Sequence, residues 1–408
     1  MAIPCTPQIL AINGGSSSIK FALFDLDDQL APVFDGEVRG IGGAHSCFFV
    51  RGSAGTDAFE RKFPIPDRVT AVEVLAEWLA GRLAPASLAA VAHRVVHGGA
   101  QLVETQAVTG AMLATLYELA STDPEHLPLE LHLTETLRRH FPAALHVACF
   151  DSAFHVTMPP VASMMPIPRR FYDQGVRRLG YHGLSCSYLM RQLGQLDGQA
   201  GAGKVILAHL GGGASITAVE DGRSRDTSMG FTPAGGIPMG KRSGDIDPGL
   251  AWHCARHEQM TPARFNHMVN HESGLLGVSG SSGDLRELMA RESTDTHAAE
   301  AVAMFCYQAR KQVCAMAGAL NGVDTLVFAG GVGENSAAAR ARICDGLSHL
   351  GLVLDHARNV DHAAVISTEA SAVVVRVIRT DEQWMLADEA RRLLARTPRI
   401  LSGSAAHG

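Results

Sequence analysis

Residues 9–19, ILAINGGSSSI, recur without a gap at 206–216 as ILAHLGGGASI, and seven of the eleven positions are identical. Each copy is an apolar run, a Gly-Gly turn, a serine and then an alternating segment. In SIKFALFD (18–25), Ile19, Phe21 and Leu23 alternate with Ser18, Lys20, Ala22 and Phe24, the period of two that marks a strand. The stretch therefore reads as strand, glycine turn, strand. A P-loop would instead start a helix, and neither G-x-x-x-x-G-K-[ST] nor G-x-G-x-x-G is present. Two such hairpins, one in each half of the chain, predict two related domains that each present one glycine-rich turn. A third apolar run, TLVFAGGVGENS (325–336), also ends in Gly-Gly and leads into a segment of helical composition.

Between the hairpins the period changes from two to 3.6. In TAVEVLAEWLAGRL (70–83), Val72, Leu75, Ala76 and Leu79 share one helical face. In residues 299–322, Val302, Phe305, Cys306, Ala309, Val313, Met316 and Leu320 form a long apolar stripe that reads as core. The segment 380–396 opens with a capping-box pattern, Thr380 to Gln383. Alternating strands and helices predict an α/β architecture, and 408 residues are enough for two or three domains, each with a full core. No low-complexity linker divides the chain, so the domains are expected to pack closely around one cleft. The tail SGSAAHG (402–408) reads as disordered.

A formal charge of −6 argues against nucleic acid or an anionic membrane as a bulk partner. Nothing resembles a signal peptide, and no apolar run reaches membrane-spanning length. The eight cysteines form no C-x-x-C pair and fall mostly in apolar segments, which predicts reduced, buried thiols in a cytoplasmic protein.

Several charged residues stand at strand ends or in glycine-rich loops. Arg94 lies in AAVAHRVVHGG (89–99), where it needs either an anionic ligand or a core carboxylate. The spacing HRVVH lacks the glutamate of a zinc helix and sits on a strand. Asp151 ends the apolar run of LHVACFDSAFH (145–155), either as a ligand-binding group or as a cap of the next turn. His182 stands between Tyr181 and Gly183, and Lys241 with Arg242 occupies the loop of MGKRSGDIDPGL (239–250). Two adjacent cations in such a loop suit an anion. Asp247 and Pro248 read as an N-cap and first helical residue. Glu382 falls in the first turn of the last helix, where the helix dipole favours acids.

Taken together, AINGGSSSIKFALFD, HRVVHGG, FDSAFHVTMP, RRLGYHGLS, HLGGGASITAV, DTSMGFTPAGGIPMGKRSGDIDPG, SGLLGVSGSSGDLREL, FAGGVGENS and TDEQ resemble the acetate kinase family over nearly the whole chain. That resemblance implies a duplicated, actin-like (ribonuclease H-like) two-domain α/β fold with an interdomain cleft. Its expected domains are 1–152 with 386–408, and 153–385, the second carrying most of the nucleotide site. The implied reaction is reversible, Mg²⁺-dependent (or Mn²⁺-dependent) phosphoryl transfer from ATP to acetate, giving acetyl phosphate and ADP, in a cytoplasmic homodimer.

By motif position, Asn13 and Glu382 would hold the metal. Ser16, Ser18 and Lys20 would line the first phosphate hairpin, and His209, Leu210, Gly211, Gly212 and Gly213 the second. Asp284, Leu285 and Arg286, with Gly331, Val332, Gly333, Glu334 and Asn335, would hold the adenosine end. Arg94 would bind the substrate carboxylate beside Val96, Tyr181 and Pro233. Asp151, His182 and Arg242 would be catalytic, Asp151 by positioning through the metal rather than by removing a proton.

Five positions depart from the family pattern, one of them Gln383, which replaces a second glutamate in the last motif. Gly212 stands where the family has asparagine, Tyr181 for phenylalanine, Cys186 for histidine and Glu125 for leucine. A hydroxyl and a carboxylate near a methyl pocket would favour a polar acid unless they point away or find partners. Propionate, butyrate and polar short acids are thus alternative substrates. A non-catalytic ATP-binding protein would not need both Arg94 and Arg242, and a sugar kinase would want an aspartate base and several hydrogen-bonding side chains for hydroxyls, where HRVVHGG and MGKRSGDIDP offer cations for an acid.

Overall fold

The computed structural model of the chain describes residues 6–15, 18–43, 46–52, 58–121, 123–197 and 203–396. Ser16 and the tail 402–408 lie outside them. Two compact units divide the chain, one of Met1–Ala153 with Asp381–Gly408 and the other of Phe154–Thr380.

The first unit is built on eight strands, β1 (Gln8–Gly14), β2 (Ser18–Asp25), β3 (Pro32–Arg39), β4 (Cys47–Gly52), β5 (Phe59–Lys62), β6 (Leu88–Val95), β7 (Gln106–Ala107) and β8 (Leu145–Phe150). They lie in the order β5-β4-β3-β2-β1-β6-β8-β7. Strands β1 to β5 pair antiparallel, whereas β6 runs parallel to β1 and β8 parallel to β6. Strand β1 is apolar and buried from Ile9 to Ile12 because both of its faces are covered. Leu10 and Ile12 join a core with the helices Arg68–Ala80 and Leu127–His140. Ile9 and Ala11, which alternate to the other face, are equally buried, and the last helix, Glu382–Arg396, packs on β1 and β6.

The second unit holds β9 (Lys204–Leu210), β10 (Ala214–Glu220), β11 (Arg223–Thr227), β12 (Thr325–Ala329) and β13 (Val374–Val377), in the order β11-β10-β9-β12-β13. Here too the first three strands pair antiparallel and the last two join parallel. Strand for strand this is the β3-β2-β1-β6-β8 arrangement of the first unit, so the sequence repeat is a repeat of topology. Cys186, Leu189 and Leu193 of the helix Gly183–Asp197 pack with Val205 and Leu207 of β9. The expected stripe from Val302 to Leu320 is buried along the helix Thr296–Leu320, which packs on β9, β10 and β11.

The two hairpins differ in register. In the first, Gly14 pairs with Ile19, and Gly15 N–H donates to the Ser18 carbonyl at 2.7 Å. In the second, Leu210 already pairs with Ala214, leaving only Gly211–Gly213 in the turn, with Gly211 N–H on the Gly213 carbonyl at 2.9 Å. None of these glycines takes a positive φ, so what they supply is space: a Cβ at Gly211 would stand 3.4 Å from the Gly213 carbonyl. The gapless alignment of the copies therefore does not carry through to the pairing.

The last helix is capped differently from the expected Thr380–Gln383 box. Asp381 Oδ1 accepts the Trp384 N–H at 2.8 Å, while the Thr380 hydroxyl bonds the Ser185 hydroxyl at 2.8 Å. A carboxylate one residue further on outcompetes the hydroxyl for the helix N-terminus. All seven described cysteines are free, and all but Cys314 are buried. No helix among the described residues is long and apolar enough to cross a membrane.

Candidate active site

In the first unit the acid-facing candidates converge at the ends of β1, β6 and β8. Arg94, near the end of β6, donates from Nη2 to Asp151 Oδ2 at 2.9 Å and from Nη1 to Glu130 Oε1 at 2.9 Å, with a longer bond of 3.5 Å to the Gly14 carbonyl. Asp151 follows β8 directly, and its N–H donates to the Val95 carbonyl. Its side chain is 1% exposed and that of Arg94 13%. Burial works against the guanidinium charge, but the carboxylates of Asp151, Glu130 and Glu382 outweigh it and raise the Arg94 pKa. Arg94 is thus paired with core carboxylates and still keeps N–H groups for a ligand. Among the described residues three of its five are taken.

Glu130 was not among the sequence candidates. It sits in the first turn of the helix Leu127–His140, where it accepts from Arg94 on one oxygen and from the Val96 N–H on the other, at 2.8 Å. The signal was present: at helical spacing Glu130 stands between Leu127 and Leu133, three residues to either side and both buried, and a carboxylate buried there needs a cation. Burial pushes its pKa up to about 8, against the pull of Arg94 and the Val96 N–H.

Asn13, in β1, donates to Glu382 Oε2 at 2.7 Å, so the two expected metal ligands are side by side. Among the described residues no group of three or more His, Cys, Asp or Glu side chains is placed to hold a metal alone. Magnesium bound with nucleotide phosphates needs only one or two protein oxygens. The Asn13 carbonyl oxygen and the Glu382 carboxylate are such hard donors, and they fit. Lys20 is exposed on β2 beside the partly buried Ser18.

In the second unit three segments, around His182, Gly240–Arg242 and Gly331, stand against the Gly211–Gly213 turn. A Cβ at Gly213 would stand 3.1 Å from His182 Nε2, tight enough that the ring would have to give, and 3.6 Å from Arg242 Nη1, an ordinary contact. A Cβ at Gly211 would stand 3.7 Å from the Gly331 N, and Gly240 N–H donates to the Gly212 carbonyl at 3.4 Å. Gly240 in turn abuts Gly283, next to Asp284.

Several contacts fix the side chains around that turn. His182 takes a left-handed backbone, φ 59°, which costs a non-glycine residue strain. Its Nδ1 lies 2.9 Å from the Ser215 hydroxyl, and its ring stacks on His209 at 4.2 Å. Ser185 holds His209 Nδ1 at 2.8 Å. Arg242 Nη1 donates to the carbonyl of the buried Pro233 at 3.2 Å, whereas Lys241 points to solvent.

The remaining candidates have local partners. Asp284 caps the helix Leu285–Arg291 and pairs with the exposed Arg286. Glu334 Oε1 accepts from the Gly330 and Thr380 N–H groups, and Asn335 Nδ2 donates to the Gly331 carbonyl. Gly330 takes φ 76°, and a Cβ there would meet the Leu210 carbonyl at 2.7 Å. That pins the helix Gly330–Asn335 against the end of β9. Tyr181 is buried, and its hydroxyl donates to the Phe231 carbonyl at 2.5 Å.

Residues 8–388 match the family model described as the acetokinase family. An acetate kinase of Methylocella silvestris is 38% identical over 95% of this chain and 98% of its own length. A propionate kinase of Citrobacter rodentium is 40% identical over 96% of this chain and 98% of its own. The crystal structure of Porphyromonas gingivalis acetate kinase superposes with a TM-score of 0.84 at 33% identity, covering 95% of this chain and all of that one.

Proposed function

Because the chain belongs to the acetokinase family, and is therefore a phosphotransferase that acts on a carboxylate, we propose that it transfers the γ-phosphoryl group of ATP to acetate, reversibly, giving acetyl phosphate and ADP. Its repeated strand order is that of the actin-like ATPases. The observation that carries the reading is the glycine turn at Gly213, where a Cβ would stand 3.1 Å from His182 Nε2 and 3.6 Å from Arg242 Nη1. Backbone N–H groups of a glycine turn cradle phosphate oxygens, and two side chains able to carry positive charge at the same turn meet the charge that spreads over a transferring phosphoryl group.

The acid would dock on the remaining N–H groups of Arg94, beside Val96. A carboxylate oxygen is already a competent nucleophile, so Asp151 positions Arg94 and need not remove a proton. Lys20, Ser18 and Ser16 would contact phosphates from the first hairpin. Asp284–Arg286 and Gly331–Asn335 would receive the adenosine end. Asn13 and Glu382 would hold Mg²⁺, whose charge neutralises phosphate oxygens when it is bound.

The Tyr181 hydroxyl is satisfied by the Phe231 carbonyl, so it presents no unpaired polar group to a methyl-bearing substrate. This supports a short apolar acid. Propionate is the second reading, favoured by the likeness to propionate kinases. The family resemblance further carries a cytoplasmic homodimer. The exposed Ile246, Leu250 and Trp252 offer apolar surface that a second copy would cover.

The test is to trap acyl phosphates with hydroxylamine from Mg-ATP and a panel of short carboxylates. Acetate should give the strongest signal, and Arg94→Ala should lower kcat/KM for the acid at least about 100-fold, since truncating one side of a buried charge pair costs several kcal/mol. Signal on a longer or polar acid alone would move the substrate, and no signal on any acid would refute the reading.

A further inference from the structure

Arg94 carries two buried carboxylates before any substrate arrives. Glu130 is 2% and Asp151 1% exposed, and each lies 2.9 Å from a different guanidinium nitrogen. Both oxygens of Glu130 are engaged, one by Arg94 and one by the Val96 N–H. One positive charge thus faces two acids, and Glu382, at the start of the last helix, acts on the same guanidinium. A substrate carboxylate on the free N–H groups of Arg94 would be a further anion in a site nearly closed to water. Burying uncompensated charge is costly, and a group in that position neutralises instead.

We propose that Glu130 takes up a proton from solvent when the acid docks on Arg94, so that carboxylate and proton bind together and Glu130 sets the affinity of the site for acids. Glu130 is a positioning residue. It touches Arg94 and Val96 and not the reacting atoms. The inference rests on the reading of Arg94 as the carboxylate receptor.

Of the two acids on Arg94, Glu130 lies on a helix turn where Leu127, Leu129, Leu131 and Leu133 are all buried. The charged groups around it are Arg94 from β6, Asp151 after β8, and Asp123 from the turn before its own helix. Asp123 is itself held by His126 at 3.0 Å and lies 3.9 Å from His97. Of these only Arg94 bonds Glu130 directly, and the charges of Asp123 and Asp151 favour its protonation. Burial already brings its pKa up to about 8. A bound carboxylate raises it further, so uptake is small at pH 7, where the group is already protonated, and large near pH 9. The added proton occupies a lone pair that neither Arg94 nor the Val96 N–H uses.

The experiment is calorimetry of sodium acetate and sodium propionate binding to the full chain with Mg-ADP. Buffers of different ionisation enthalpy are used between pH 7 and 9, alongside KM measurements over the same range. In the wild type, proton uptake should rise toward one per acid bound near pH 9, and KM for the acid should climb up to tenfold per pH unit above pH 8, with KM for ATP flat. Glu130→Gln should bind acid with little proton uptake and a pH-independent KM. Should that variant not fold, the wild-type uptake curve decides alone. Acid binding without proton uptake at pH 9, or an unchanged KM slope in a folded Glu130→Gln, overturns the proposal while leaving the kinase reading intact. Absence of any carboxylate binding overturns both.

Discussion

At the scale of single residues the adjacent glycines Gly212 and Gly213 have opposite roles. A Cβ at Gly213 would press on His182 Nε2 at 3.1 Å, whereas one at Gly212 would meet nothing within 4 Å. Neither has a positive φ, so the difference is one of space and not of backbone strain. Gly213→Ala should therefore displace His182 and lower kcat tenfold or more, about 1.4 kcal/mol of barrier, with the melting temperature little changed. Gly212→Asn should fit and leave kcat equal or higher, because it adds a side-chain donor beside the turn. Steady-state kinetics of the two variants would sink the argument if Gly212→Asn were the more damaged. The sequence showed which residues carry charge and where glycine allows a close backbone. It did not show that Gly213 is the one in contact with both His182 and Arg242, because that contact joins segments distant along the chain. Glu130 escaped notice because a glutamate in the first turn of a helix has an ordinary explanation in the dipole, and its leucine neighbours were the only contrary sign.

Elements were legible where one periodicity ran unbroken. The strand at 18–25 and the stripe from Val302 to Leu320 stand where alternation and helical spacing put them. Ends and turns were less legible, since the cap moved from Thr380 to Asp381 and the second hairpin tightened. The helix Gly330–Asn335 shows what pattern alone could not supply. It is six residues long, too short to be stable by itself, and Arg340 secures it from behind. The Arg340 side chain is wholly buried, and among the described residues no acid bonds to it. Its Nη1 donates to the Gly333 and Glu334 carbonyls, and its Nε and Nη2 to the side chain and carbonyl of Asn359, with His362 Nδ1 a further contact at 3.2 Å. Carbonyls at the ends of two short helices thus neutralise one cation. Arg340→Lys keeps the charge but cannot reach this set of acceptors, so it should cost roughly 3 kcal/mol or more, as each buried acceptor left unmet costs about 1–3. Urea unfolding would measure that loss. A raised KM for ATP with KM for the acid unchanged would place the damage at the nucleotide segment.

For the whole molecule, the repeat is broader in topology than in sequence. Eleven aligned residues announced it, while five strands in each unit share order and direction. Beyond the glycine turn the copies diverged because a strand needs only apolar residues of fitting size, and many sequences supply them. The units differ in how the chain builds them. The second is one continuous stretch, Phe154–Thr380, whereas the first needs its last segment, Asp381–Gly408, brought back from the far end of the chain. That segment buries Met385, Leu386, Ala387 and Ala390 and seats the fully buried Asp388 with Arg391 and Arg392. Glu389 also accepts from Thr105 at 2.7 Å. Without it, one face of β1 and β6 loses its cover and Asn13 loses Glu382. A chain ending at residue 380 should therefore keep a folded second unit while the first loses its cooperative fold. Hydrogen exchange would read this as amides of β1 and β6 becoming unprotected while those of β9 and β12 stay protected. Residues 154–380 expressed alone should unfold cooperatively in urea. If β1 and β6 stay protected in the shortened chain, the returning helix is an accessory to the first unit rather than part of its core.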